Sequence, residues 1–167
     1  EAYRAATRDS VLFADINFLI RASDSARKSW DRAVTLDRNG RAAKGKDGVP
    51  LLMQAIERYA NLPHLRREAV AWGSVGTIYR NAEDYEQAEA CYKRALTLRE
   101  RLGDPLWIGN ALNTLGLIKR EQSDYDSALV FLDRALAVRQ KMGNKDDIAR
   151  TLSFIGDVYQ QRQDLSR

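Results

Sequence analysis

Arg94-Ala95-Leu96-Thr97-Leu98-Arg99 returns as Arg134-Ala135-Leu136-Ala137-Val138-Arg139, 40 residues further along the chain. The same shift carries Gly76 to Gly116 and Gly156, Asp84-Tyr85 to Asp124-Tyr125, and Gly103-Asp104 to Gly143-Asn144. A fixed period of this size marks a stacked-repeat protein. Each repeat is a unit that cannot bury its apolar face alone and does so only against its neighbours.

Working outward from that block, the apolar spacing is helical. Ile108, Ala111, Leu112, Leu115 and Ile118 recur at three and four residues, as do Ile148, Leu152, Ile155, Val158 and Tyr159. Asp84, Asp104, Ser123 or Asp124, and Asn144 are expected N-caps, Pro105 fits a first helical position, and Gly103 and Gly143 fit left-handed helix ends. Backward, Ala55-Ile56 precedes Ala95-Leu96 by the same 40 residues. The expected organisation is an N-terminal helical segment (1–23), a degenerate repeat (24–63), two full repeats (64–103 and 104–143) and the first helix of a truncated repeat (144–167). In the degenerate repeat Leu36 stands where the later copies have glycine, Gly40 is expected to end or weaken the first helix, and Gly45-Lys46-Asp47-Gly48 reads as a tight turn. About eight helices result.

Bulk properties agree with a folded, mainly helical chain. Its 167 residues are 44% hydrophobic and 30% charged, with three prolines. No apolar run approaches the roughly 18–20 residues of a membrane span. The most apolar stretch, Val11 to Ile20, is interrupted by Asp15 and Asn17 and has no small-residue cleavage site. The chain begins at Glu1 without a methionine, so the compartment stays open. The net charge of +4 lies in the first part, where 13 basic and 9 acidic residues precede Ala71 and 14 of each follow.

The spacing Trp72-x-x-Val75-Gly76-x-x-Tyr79, Ala88-x-x-x-Tyr92, Ala95 resembles the tetratricopeptide repeat pattern. Leu112-x-x-Leu115-Gly116 with Ala128, Leu132 and Ala135 repeats it, and Leu152-x-x-Ile155-Gly156-x-x-Tyr159 begins it a third time. The resemblance is strong from about Ala71 onward and weaker from Asp24. It departs from the pattern at Lys119, which replaces the tyrosine of the second copy, and in its longer period. The longer form is similar to the arrays of kinesin light chains and bacterial signalling regulators. Tyr3-Arg4-Ala5-Ala6-Thr7 with Asp9 is weakly similar to the junction before repeat arrays in bacterial proteins carrying a caspase-like CHAT domain.

The resemblance implies a right-handed superhelix of antiparallel helix pairs, an α-solenoid whose first helices line a concave groove. The implied function is a non-catalytic scaffold that holds a peptide or helical segment of a protein partner. The alternative is a regulatory or sensory module of a larger protein. Groove-facing positions are expected at Ser74, Thr77, Arg80, Asn81, Asn110, Asn113, Thr114, Leu117, Arg120, Arg150, Ser153 and Asp157. Asn113 stands where related long-repeat arrays place a peptide-binding asparagine, and its amide can both donate to and accept from a backbone. The arginines offer forked recognition of carboxylates. Phe154 reads equally as a groove residue or as a contact to a following helix. Leu152, Ile155 and Tyr159 are expected to form an exposed stripe that self-associates or is covered by a continuing array.

Other chemistry has weaker support. His64, the only histidine, is expected to be an exposed loop residue. Cys91, the only cysteine, lacks a base partner for nucleophilic work. Asp146-Asp147 and Asp124-x-Asp126 sit at helix starts, where acids favour the dipole. No cofactor or metal motif is present. The sequence pI of about 9.3 raises nucleic acid as a partner. Basic residues interleaved with acids and the lack of an aromatic platform argue against it. No membrane partner is expected.

Overall fold

The computed structural model describes residues 15–62 and 64–164, and among these there is no strand. Helix α1 occupies residues 15–21. There follow α2 (Asp24–Ala42), a 3-10 turn (Gly45–Gly48), α3 (Val49–Asn61), α4 (Leu65–Asn81), α5 (Tyr85–Leu102), α6 (Pro105–Glu121), α7 (Tyr125–Met142) and α8 (Lys145–Asp164). The stretch that resembles the CHAT junction lies outside the described residues.

The period is written into the helix ends. Asp84, Asp104 and Asp124 each accept a hydrogen bond from the backbone N–H three residues on, at Gln87, Trp107 and Ser127. Asn144 Oδ1 accepts from Asp146 and Asp147. Each such cap gives an orphaned first-turn N–H an acceptor and so favours the start of its helix. Between the helices of a pair, the chain turns through Glu83 (φ 57°) and Ser123 (φ 61°). Between pairs it turns through Gly103 (φ 63°) and Gly143 (φ 70°), left-handed positions that glycine adopts without Cβ strain. Asp124, with Ser123 beside it in the turn, is therefore the cap of α7.

Each helix packs on the next, giving the pairs α2/α3, α4/α5 and α6/α7, with α8 against α7 and α6. One core joins Trp30, Ala33, Leu52, Tyr59 and Val75; a second joins Leu96, Leu112, Leu115 and Ile118; a third joins Ala128, Leu132 and Val158. Leu52, Leu115, Ile118 and Leu132 are fully buried, each contributing about 1.5–3 kcal/mol. The repeat glycines set the approach of paired helices. A Cβ on Gly76 would lie 2.8 Å from the Tyr92 ring, and one on Gly116 would lie 2.7 Å from Leu132 Cγ; one on Gly156 would meet nothing.

The first pair departs from the expected form. Gly40 does not end α2, which runs on to Ala42. Gly40 is buried there instead, and a Cβ on Gly48 would lie 2.0 Å from its carbonyl oxygen. Close approach in this pair has moved to Gly40 and Gly48, while Leu36 packs against the first core. The Gly45–Gly48 segment is a 3-10 turn rather than a simple tight turn.

Candidate functional site

Residues one repeat apart tie the first helices of successive pairs side by side. Arg66 Nη1 on α4 donates to the carboxylate of Asp104, the cap of α6, at 2.9 Å. Arg80 grips Glu121 with two bonds, Nε to Oε2 at 3.0 Å and Nη2 to Oε1 at 2.6 Å. From α6 to α8, Asn113 and Thr151 exchange hydrogen bonds of 3.5 Å, and Arg120 Nη1 stands 3.6 Å from Asp157 Oδ2. The result is a continuous row, α4, α6 and α8, with polar side chains along it.

The twelve expected groove positions divide by environment. Asn81, Thr77, Arg150 and Ser153 are exposed. Thr77 Oγ1 donates to the Gly73 carbonyl and shares a 2.8 Å hydrogen bond with Tyr92 Oη. Arg150 pairs with the Asp147 carboxylate. Arg80, Arg120 and Asp157 are half-buried and ion-paired as described. Leu117 is half-buried. Ser74 and Thr114, also half-buried, turn their hydroxyls back to the carbonyls of Val70 and Asn110.

Asn113 requires a correction: it is 4% exposed, drawn inward by Thr151. Its amide serves the α6–α8 contact instead of standing free in a groove. Asn110 likewise spends its Oδ1 on Arg139 Nη2, at 2.8 Å. Phe154 packs against the third core. Of the expected apolar stripe, Leu152 and Tyr159 are each 50% exposed, whereas Ile155 packs against that same core.

Beneath the row lie two arginines whose burial the sequence reading missed. Arg139 is 2% exposed and Arg99 7%. Both close the hexapeptide that defines the period. Arg139 Nη1 donates to the Asp147 carbonyl at 2.9 Å and to Thr151 Oγ1 at 2.6 Å. Arg99 Nη1 makes the equivalent bond to the Trp107 carbonyl, longer at 3.5 Å, and its guanidinium lies 5.2 Å from the Trp107 ring centroid. Burial lowers the pKa of Arg99 to about 10, against the opposing pull of Tyr92 and Asp104, so it stays charged at neutral pH. Gly73 and Gly109 make room for the two guanidinium groups, each 3.2 Å from where a Cβ would stand.

His64 also corrects its expected exposure. It is 8% exposed, and its Nδ1 accepts from Arg67 N–H as the N-cap of α4. This is the capping position of Asp104 and Asn144 one and two periods on. Nε2 faces Asp15 Oδ1 at 3.3 Å, and the ring packs against Trp30 and Phe18. Burial lowers its pKa, with Asp15 opposing. Arg67 Nε donates to the same Asp15 at 2.9 Å, fastening α1 to α4. Cys91 is buried, and burial followed by the charge of Asp84 pushes its thiol up to about 11. It is not a thiolate at neutral pH. Among the described residues no cluster of three or more His, Cys, Asp or Glu is arranged to hold a metal ion, and no helix is long and apolar enough to cross a membrane.

Antiparallel pairs stacked in one register, with their first helices aligned, define an α-solenoid. The tetratricopeptide repeat family model matches residues 67–141 and 107–167, more than half of the sequence, and the chain belongs to that family. No match was found among curated proteins. Among solved structures the chain is similar to aspartyl phosphate phosphatase F from Bacillus subtilis, with 20% identity and a TM-score of 0.70 over 89% of this chain and 39% of that one. It is similar to BtubC from P. vanneervenii, with 24% identity and a TM-score of 0.55 over 72% of this chain and 54% of that one. The N-terminal domain of stress-induced protein-1 from C. elegans aligns at 13% identity, TM-score 0.55, over 80% and 98% of the two chains. The chain thus spans less than two thirds of the first two structures, and the likeness to all three is one of fold.

Proposed function

We propose that the chain is a protein-interaction scaffold whose aligned first helices receive a peptide or helical segment of a partner protein. The observation that carries this reading is the row α4, α6 and α8, tied side by side by Arg80–Glu121 and Arg120–Asp157. Asn81 and Ser153 supply exposed polar contacts along it, and Thr77 and Arg150 stand exposed beside them while holding their own bonds to Tyr92 and Asp147. The paired arginines are preset forks that a partner carboxylate engages by exchange with Glu121 or Asp157. Binding, not bond chemistry, is the role this arrangement serves.

The test is peptide selection from a random library on the folded chain, followed by affinity measurement on variants. Alanine at Thr77, Asn81 and Ser153 together is expected to weaken the selected peptides about tenfold, on the order of 1.4 kcal/mol. Asp133→Ala, on the exposed side of α7, is expected to leave them unchanged. Loss confined to Asp133→Ala overturns the proposal.

A further inference from the structure

The side of the second helices carries a feature that partner binding on the first helices does not use. A cavity of about 290 Å³ opens between α3 and α5, over α4. Its walls include Met53 from α3, Trp72, Val75 and Tyr79 from α4, and Cys91 and Arg94 from α5. Met53 is 41% exposed, while Val75 and Cys91 are buried at 1% and 5%.

The repeat register explains why space exists here. One period on, Phe131 takes the place of Cys91 and packs against the core around Leu112 and Leu115. Lys119 takes the place of Tyr79, and Lys93 that of Met53. Both lysines close on Glu89 at 2.8 Å, so a phenyl ring and an ion-pair cluster occupy the second gap. In the first gap a thiol replaces the ring, and apolar side chains replace the ions. The change at Cys91 therefore makes this inter-repeat gap roomier, and the changes at Met53 and Tyr79 make its walls mainly apolar, with Gln87 and Arg94 as polar lining.

The mouth of the cavity supplies a charge. Arg94 is exposed and has no hydrogen bond or ion pair among the described residues. The other cation close by, Lys46, lies 5.3 Å from the Tyr79 ring centroid and is committed to Asp84 at 2.9 Å. An apolar cavity of about 150 Å³ admits benzene. The volume here is near twice that, the size of a bicyclic aromatic or a chain of about eight carbons.

We propose that this cavity binds a small amphipathic acid, its aromatic or aliphatic body seated among Met53, Trp72, Tyr79 and Cys91 and its carboxylate held by Arg94. The binding is non-covalent, because the thiol at its floor is protonated. The occupant bridges α3 and α5 across α4, and hence stiffens the joint between the first and second helix pairs.

The probes are 1-naphthylacetate, octanoate and the neutral 1-naphthaleneethanol, titrated by calorimetry and by the methyl resonance of Met53. Saturable binding of the acids at micromolar to submillimolar concentration is expected, with a shift of the Met53 methyl. Cys91→Phe, which copies Phe131, is expected to abolish it with helix content retained. Met53→Glu, at the exposed mouth, is expected to weaken the acids at least tenfold and settles the matter if Cys91→Phe does not fold. Arg94→Gln is expected to weaken the acids about fivefold and leave the alcohol unchanged. No saturable binding at millimolar probe, or undiminished binding to folded Cys91→Phe or to Met53→Glu, overturns the proposal.

Discussion

Arg139 donates a 2.6 Å hydrogen bond to Thr151, joining the end of one repeat to the first helix of the next inside the protein. The same guanidinium also serves the Asp147 carbonyl and Asn110. Replacing it with methionine keeps the apolar stem but removes hydrogen bonds to three acceptors; the Asp147 carbonyl and Thr151 Oγ1 keep their bond to each other, while Asn110 Oδ1 loses its guanidinium partner. Arg139→Met is expected to cost roughly 3 kcal/mol, because hydrogen bonds to a charged group are worth about 1.5–3 kcal/mol. Arg99→Met, which loses one 3.5 Å bond and a ring contact, is expected to cost about 1 kcal/mol. Urea unfolding of the two variants checks the order; equal midpoints contradict it.

Gly116 and Gly156 hold the same register position in different surroundings. A Cβ at Gly116 would press on Leu132 Cγ at 2.7 Å and the Ala128 carbonyl oxygen at 3.2 Å; at Gly156 it would find open space. Gly116→Ala is expected to destabilise by about 1–3 kcal/mol through overpacking. Gly156→Ala is expected to stabilise by about 0.5–1 kcal/mol through helix propensity. Thermal melts of the two variants read the opposite signs.

His64 makes stability depend on mild acid. Burial holds its folded pKa below the ordinary 6.5, so the unfolded chain takes up the proton first as pH falls. Stability is therefore full above about pH 6.5 and declines as pH drops through that value toward the folded one. Protonation also removes the Nδ1 lone pair that caps α4. Asp124, held below the ordinary carboxylate range chiefly by its Ser127 hydrogen bond, loses its share only in stronger acid. Melting temperature is expected to fall between pH 7 and 5, and His64→Asn, which substitutes the cap residue found at Asn144, is expected to flatten that fall. An unchanged slope in the variant contradicts the assignment.

Much of this was legible in the sequence because a repeat states each rule more than once. Gly76 with Gly116, and Asp84 with Asp124, fixed the helix pairs, their turns and their caps. What escaped notice was masked by residue type. His64 occupies the capping position of Asp104 and Asn144, but a histidine is not an expected cap. Arg99 and Arg139 sit in the very hexapeptide that reveals the period, yet arginine is ordinarily read as exposed. Asn113 reads as a groove residue from its helix face and its place in related arrays, and only the packing of α8 shows that Thr151 closes over it. The cavity beside Cys91 depends on how α3 and α5 pack over α4, which the spacing of Met53, Trp72 and Cys91 does not state.

The central claim is that partner segments bind along α4, α6 and α8. Backbone amide shifts of the isotopically labelled chain, titrated with a library-selected peptide, test it most directly. The account predicts perturbations concentrated at Thr77, Asn81, Arg120 and Ser153, continuous across the three first helices. Perturbations confined to α3, α5 and α7, with those four amides unmoved, would contradict it.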